Sequence, residues 1–239
     1  MAGFGQFCPV AKSTEVLGQP WTLLIIRELC CNDQSFSNLR MGVPLMSPSL
    51  LSTRLKLLER NRVITRTKTD SGVLYSLTEA GQELQPVIMA LGIWGQRWVR
   101  SDMSNKDLDP TLLMWDIHRH IDTSYFPKSR TVIHFQFVDY TVTMRFWWLL
   151  IDKDSVDICF KDPGHEPDLY INTELKTMTQ IWMGDLPVSQ AIKAKKIQLT
   201  GDSQLIKTFK AWIGRGDFSP HSAAPDSLHQ GSIPPQRHH

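Results

Sequence analysis

Up to Arg100 the apolar positions recur mostly at helical spacing. A first helix fits Pro9 to Leu17 and ends at Gly18. Pro20 opens a second, whose Trp21, Leu23, Leu24, Ile25, Ile26 and Leu29 are apolar nearly all round, the pattern of a buried core helix. A short third helix fits Ser37 to Met41. Ser47-Pro48 starts a fourth: the Ser hydroxyl caps a free backbone N–H, and Pro at the first helical position has none to lose. On this helix, which runs to about Arg60, Leu51, Leu55 and Leu58 share one face. Ser49, Thr53, Lys56 and Arg60 share the opposite face, with Ser52 beside them.

Val63 to Thr69 and Val73 to Leu77 read as two strands joined at Asp70-Ser71-Gly72. Thr78 then caps a long helix to about Arg100, with Leu84, Val87, Leu91, Trp94 and Trp98 forming a coiled-coil-like seam and Pro86 as a kink. Residues 101–109 are polar and aperiodic, which places a linker there between a domain at 1–100 and a second at 110–215. The second pattern begins with a helix at Pro110 to Ile121. Strands follow at Thr131 to Val138, Val142 to Ile151, Val156 to Phe160 and Asp168 to Ile171. Helices fit Glu174 to Met183 and Pro187 to Ala194, then a strand at Ile197 to Leu199 and a last helix from Asp202 to Ile213. Strands first and helices later predict an α+β domain with helices covering a sheet. From Gly216 to His239 the Ser-, Pro- and His-rich composition predicts a disordered tail.

Charge adds to this picture through its distribution. The 239-residue chain has a formal net charge of only +2. From Ser35 to Lys68, however, the basic residues are Arg40, Arg54, Lys56, Arg60, Arg62, Arg66 and Lys68, against Glu59 as the one acid. A basic segment beside a mildly acidic remainder is the footprint of a phosphate-binding face. Four helices, a hairpin and a further helix, with the basic cluster on the fourth helix and the hairpin, are the layout of a winged helix-turn-helix. Ser37, Arg40, Ser47, Ser49, Ser52, Thr53, Arg54, Lys56 and Arg60 are the candidate DNA contacts of the helices, and Arg66 and Lys68 those of the wing. Small polar residues near a helix start approach base edges, and the long basic ones meet phosphates, which position the protein more than they specify sequence.

The residues also resemble a known family. Cys8-Pro9-Val10, the run Val16-Leu17-Gly18-Gln19-Pro20-Trp21 through Leu29, Phe36-Ser37-Asn38-Leu39-Arg40, Met46-Ser47-Pro48, Leu51 to Leu58, and Tyr75-Ser76-Leu77-Thr78-Glu79-Ala80-Gly81 are similar to HxlR-type bacterial regulators. The resemblance implies a homodimeric repressor or activator of double-stranded DNA at a palindromic operator, with recognition helices ~34–36 Å apart. It implies a dimer contact through the first and last helices of the domain, here Cys8, Val10, Leu84, Val87, Leu91, Trp94 and Trp98. The wing departs from the family, with Thr69-Asp70-Ser71-Gly72 in place of paired prolines. Some relatives sense oxidants or electrophiles through a cysteine at the place of Cys8, where a helix N-terminus favours the reactive thiolate. Cys8 is therefore a redox candidate, the alternative being a small side chain at a dimer contact.

The second domain resembles the sterol-carrier-protein-like domains found behind such regulators, on Pro110 to Ile117, Asp162-Pro163-Gly164, Asp168 to Ile171, Ile181 to Leu186 and Ile197 to Asp202. That resemblance implies an apolar tunnel in many relatives. Phe135, Phe137, Phe146, Trp148, Leu150, Met178 and Trp182 are the candidate lining for an apolar or lipid-like molecule. The same residues serve equally to fill a solid core, and both readings stand at this point.

The remaining chemistry is sparse. The sequence carries no phosphate-binding loop, nucleophile elbow or paired-cysteine metal site, so no enzyme and no cofactor or metal is expected. His118 and His120 are two apart on a helix and point to different sides. The longest apolar stretch is too short for a membrane span, and no secretory signal opens the chain, so a cytoplasmic protein with no membrane partner is expected. The readings in play are a ligand-gated regulator, a redox-switched regulator working through Cys8, and a lipid carrier whose first domain serves only to dimerise.

Overall fold

A computed structural model describes residues 3–70, 72–99, 104, 107–127, 129–153 and 155–220. The N-terminal half contains α1 (Pro9–Leu17), α2 (Thr22–Cys31), β1 (Gln34–Ser35), α3 (Phe36–Gly42), α4 (Pro48–Arg60), β2 (Ile64–Thr69), β3 (Gly72–Leu77), α5 (Glu79–Gln82) and α6 (Gln85–Trp94). β2 and β3 form the hairpin, and β1 adds to the far side of β3, giving the antiparallel order β1-β3-β2. Ile25, Ile26, Leu39, Leu51, Leu55, Leu58 and Ile64 build the core between them. The turn of the hairpin at Ser71 lies outside the described residues.

The long helix predicted from Thr78 is interrupted. α5 ends at Gln82, α6 begins at Gln85 with Pro86 in its first turn, and a π-helical turn (Gly95–Val99) closes the run. Proline has no N–H for the preceding turn and crowds its carbonyl, so the break falls where the sequence places the kink. Arg100, the predicted end, lies outside the described residues.

The C-terminal half contains α7 (Pro110–His120), β4 (Thr131–Phe137), β5 (Phe146–Asp152), β6 (Ser155–Cys159), β7 (Leu169–Thr173), α8 (Leu175–Trp182), α9 (Val188–Lys193), β8 (Ile197–Gly201) and α10 (Ser203–Trp212). The sheet order is β6-β5-β4-β7-β8, with β4 and β7 parallel and the other neighbours antiparallel. β5 starts later than the pattern predicts, because Val142–Met144 form a single 3₁₀ turn. The inner face carries Ile133, Phe135, Phe137, Trp147, Leu149, Ile151, Leu169 and Ile171, packed with Met114, Met178, Phe209 and Trp212 from the helices.

α7 is buried on almost every side, and its position explains why. Asp109 caps it by accepting from the amides of Thr111 (2.8 Å) and Leu112 (3.1 Å). Leu113, Met114 and Ile117 enter the C-terminal core. Trp115 and Arg119, one turn apart, meet the N-terminal half instead, and α7 packs against α3. The two cores are thus joined through one helix.

The segment 216–220, assigned by composition to a disordered tail, is packed. The Gly216 amide donates to the Trp182 carbonyl at 3.0 Å, and Asp217 lies 3.2 Å from His120. Phe218 lies against Gly92 of α6 so closely that a β-carbon at Gly92 would fall 2.1 Å from its ring. The rest of that predicted tail, 221–239, lies outside the described residues.

Candidate nucleic-acid interface

α4 is held by the capping its sequence announces: Ser47 Oγ accepts from the Leu50 amide at 3.3 Å, and Pro48 occupies the first turn. Leu51, Leu55 and Leu58 are completely or almost completely buried, so this face is anchored. Ser49, Thr53, Lys56 and Arg60 are exposed and Ser52 is half-buried beside them. Ser47 and Ser49 hydroxyls stand 3.2 Å apart, and Thr53 Oγ1 donates to the Ser49 carbonyl at 2.9 Å. The start of the helix therefore offers a connected row of hydroxyls, with the cations one and two turns further on.

Ser37 and Arg40 of α3 are exposed. Arg54 differs from the other cations: its Nε donates to the Pro20 carbonyl at 3.0 Å. It therefore braces α4 against the start of α2, where Trp21 adopts a left-handed backbone (φ 74°) that is uncommon for a bulky residue.

Arg62, at φ 58°, turns the chain from α4 into the wing. Thr78 Oγ1 donates to the Arg62 carbonyl at 2.6 Å and welds that turn to the base of the hairpin. β2 is an edge strand with only Ile64 buried, so Arg66 and Lys68, two apart, stand exposed on one face.

The candidate dimer residues divide. Val10 is 70% exposed, and Val87, Leu91, Trp94 and Trp98 are exposed along α6 and the π-turn. α1 buries none of its residues within the chain. Leu84, in the break at the N-cap of α6, packs instead on the N-terminal core. Cys8 is half-buried at the N-cap of α1, a free thiol whose side chain caps nothing.

The seven residues offered as a pocket lining are not brought together. Phe135, Phe137, Met178 and Trp182 lie in the inner core. Phe146, Trp148 and Leu150 point to the opposite face, because Trp147, Leu149 and Ile151 take the inward positions. On that outer face His134, half-sandwiched by Phe146 and Trp148, meets Tyr170 edge-on. Burial pushes the His134 imidazole pKa down.

The sequence gives no signal for a buried ionic cluster between the halves. Glu28 of α2 is fully buried. Arg27 donates to its Oε1 from Nε (3.0 Å) and Nη2 (2.7 Å). Trp115 Nε1 (3.0 Å) and Arg119 Nη1 (2.9 Å) donate to its Oε2. Arg119 also pairs with Asp116. Burial acts to lower the Arg119 pKa, but Glu28 and Asp116 outweigh it and the guanidinium is held above its ordinary value. A β-carbon on Gly42 of α3 would fall 1.9 Å from Glu28, so only glycine lets the carboxylate take this place. Next to the cluster, His118 stacks on Trp115 and bonds the Val156 carbonyl through Nε2 at 2.8 Å. Burial lowers its pKa, against the effect of that bond.

Residues 16–103 match the HxlR-like helix-turn-helix family, and residues 129–213 match the SCP-2 sterol transfer family. The chain is 33% identical to the HTH-type transcriptional regulator YvaP of Bacillus subtilis over 98 residues, 39% of this chain and 91% of that protein. It is 34% identical to the HTH-type transcriptional regulator YodB of the same organism over 95 residues, 38% of this chain and 85% of that protein. Among solved structures, the reduced form of YodB is 33% identical, with a TM-score of 0.35, covering 38% of this chain and 93% of that one.

Proposed function

The chain belongs to the HxlR-like helix-turn-helix family of transcription regulators, and from that premise we propose that it is a cytoplasmic homodimer that binds a palindromic double-stranded DNA operator and is controlled through its sterol-carrier-like domain by an apolar small molecule. The observation that carries the DNA reading is α4, with three leucines buried on one face and Ser49, Thr53, Lys56 and Arg60 exposed on the other. Ser47, Ser49, Ser52 and Thr53 are the base-reading candidates. Ser37, Arg40, Lys56, Arg60 and, on the wing, Arg66 and Lys68 take phosphates. Arg54, tied to Pro20, orients the helix and reaches DNA only with what remains of its guanidinium.

Two copies meet, on this reading, through Val10, Val87, Leu91, Trp94 and Trp98, large apolar side chains that one copy alone leaves in water. The test is binding to duplexes selected from a random pool, measured against salt. Each phosphate neutralised contributes about −0.9 to the slope of log affinity on log salt. A slope near zero, or no preference for any duplex, overturns the reading.

Cys8 supports a second reading, in which oxidation governs DNA affinity, because it sits at the start of α1 two residues before the exposed Val10. Cys8→Ser protein that binds DNA normally and ignores oxidant supports it. An unchanged oxidant response removes it.

A further inference from the structure

A cavity of about 290 Å³ lies between the two halves. α6 contributes Ile88 and Met89, α7 contributes Leu112 and Arg119, and Trp182 and Phe218 close it from the end of α8 and from the packed C-terminal segment. We propose that this cavity, rather than the interior of the sterol-carrier-like sheet, is a binding site for a small, uncharged, largely aromatic molecule bearing one carbonyl-type acceptor oxygen.

Three observations set that chemistry. First, the wall is mostly carbon, including the sulfur-bearing side chains of Met89 and Cys30. A volume just below the ~300–1,000 Å³ range of ligand pockets suits a two-ring body. Second, Arg119, a lining residue, has a fully buried Nε with no hydrogen-bond partner among the described residues, while its two terminal nitrogens are held by Glu28 and Asp116; Nε has no exposed surface, so it meets a guest only when the side chain shifts. A buried N–H without a partner costs about 1–3 kcal/mol, and a guest oxygen that draws Nε to the cavity surface offsets that cost. Third, the charged groups of the wall already have partners: Arg27 and Arg119 face Glu28 and Asp116, and Asp217 lies 3.2 Å from His120 Nε2, so a charged guest has to displace one of these contacts. Burial and the neighbouring Cys31 raise the Cys30 thiol pKa, which keeps it protonated and makes the wall a contact surface, not a covalent trap.

The place of the cavity gives the ligand a route to DNA, and this consequence alone rests on the regulator reading. One wall is the back of α6, whose other face carries Val87 and Leu91. Another is the Arg119 end of the cluster that fixes α2 and α3, the helices preceding α4. A guest that favours one arrangement of these walls shifts DNA affinity by the difference in its own affinity for the two arrangements.

The test uses the full chain and prodan, an uncharged naphthyl ketone whose emission moves to shorter wavelength on leaving water. The expected result is saturable blue-shifted emission at one probe per chain. Leu112→Trp, which fills the cavity, weakens it about tenfold or more, equivalent to about 1.4 kcal/mol. Phe146→Ala on the outer sheet face leaves it unchanged. Acetylnaphthalene competes better than methylnaphthalene, because only the first has an oxygen for Arg119. If Leu112→Trp unfolds the chain, Met89→Phe fills the same space from the opposite wall. Unaltered prodan binding in a folded cavity-filling variant, loss of binding in Phe146→Ala, or equal competition by the two naphthalenes overturns the proposal. None of these readouts involves DNA, so a chain that binds prodan and no duplex would sink the regulator reading and leave the site standing.

Discussion

Trp115 and Glu28 are 87 residues apart in the chain, yet the indole N–H of one donates to the carboxylate of the other at 3.0 Å inside the protein. Four donor contacts on Glu28 from Arg27, Trp115 and Arg119 make it the point at which the two halves are held together. Removing its charge leaves Arg119, whose side chain is 9% exposed, short of a partner. Glu28→Gln is therefore expected to destabilise the protein by about 3–5 kcal/mol. Trp115→Phe is expected to cost about 1.5–3 kcal/mol, the range for a hydrogen bond to a charged group. Denaturant titrations of both variants and of the double variant measure this. The two effects are expected to be non-additive, and additive losses would mean that the residues act separately.

Gly42 is expected to tolerate no side chain. A methyl group there meets a carboxylate that is pinned from three residues and has nowhere to move. Gly42→Ala should lower the melting temperature by several degrees, as a core overpacking of about 1–3 kcal/mol does. It should also loosen the second domain, seen as faster amide exchange in α7. A melting temperature equal to the parent's would show that Glu28 has room to relocate.

On the proposed DNA face the residues divide by what they change. Lys56→Ala or Arg66→Ala should weaken binding to all duplexes alike and make the salt slope shallower by about 0.9 each. Thr53→Ala should instead relax preference at one base position, with a discrimination loss of about 1–3 kcal/mol. Competition assays on a set of single-base variants separate the two patterns. A uniform loss for Thr53→Ala would place it on the backbone of the duplex.

The exposed seam predicts an assembly defect. Trp94→Asp puts a charge on a position 57% exposed in the single chain and buried in the proposed dimer. Sedimentation should shift from dimer to monomer while far-ultraviolet circular dichroism is unchanged. Leu84→Asp, on the core side of the helix break, should unfold the N-terminal half instead. A dimer that survives Trp94→Asp would place the contact elsewhere.

His118 and His134 set an acid limit. Burial lowers both pKa values, so the fold holds each ring neutral while the unfolded chain takes up protons below about pH 6.5. The sign follows from linkage: where the unfolded state binds more protons, stability falls as pH falls. Stability is expected to be level above pH 6.5 from these two groups and to decline below it, down to the lowered folded values. His118→Gln keeps a donor for Val156 and removes the titration, so its melting temperature should change less between pH 7 and pH 5 than the parent's. An equal change would assign the acid limit to other groups.

The helix α4 was legible because its signals are local: a Ser-Pro start, three leucines at helical spacing and cations opposite them all lie within Ser47 to Arg60. The helix break at Pro86 was legible for the same reason. The facing of β5 was not, because Phe146-Trp147-Trp148-Leu149-Leu150-Ile151 is apolar throughout and carries no alternation to say which side is inward. Only its pairing with β4, with Phe135 opposite Trp147, settles the parity. The Glu28 cluster was invisible because its members are assembled from α2 and α7, and an acid within an apolar helix does not reveal which distant residues will neutralise it.

The segment 216–220 has a consequence for the birth of the molecule. Gly92 leaves the ribosome long before Phe218, so the surface of α6 that Phe218 covers is open for most of synthesis. The N-terminal half can complete its own core in that interval, but the part of the seam made by 216–220 closes only when nearly every described residue has been made. Chains cut short of Phe218 would carry a finished DNA-binding face on an unsealed body, and a cell's quality-control proteases would meet that opening first.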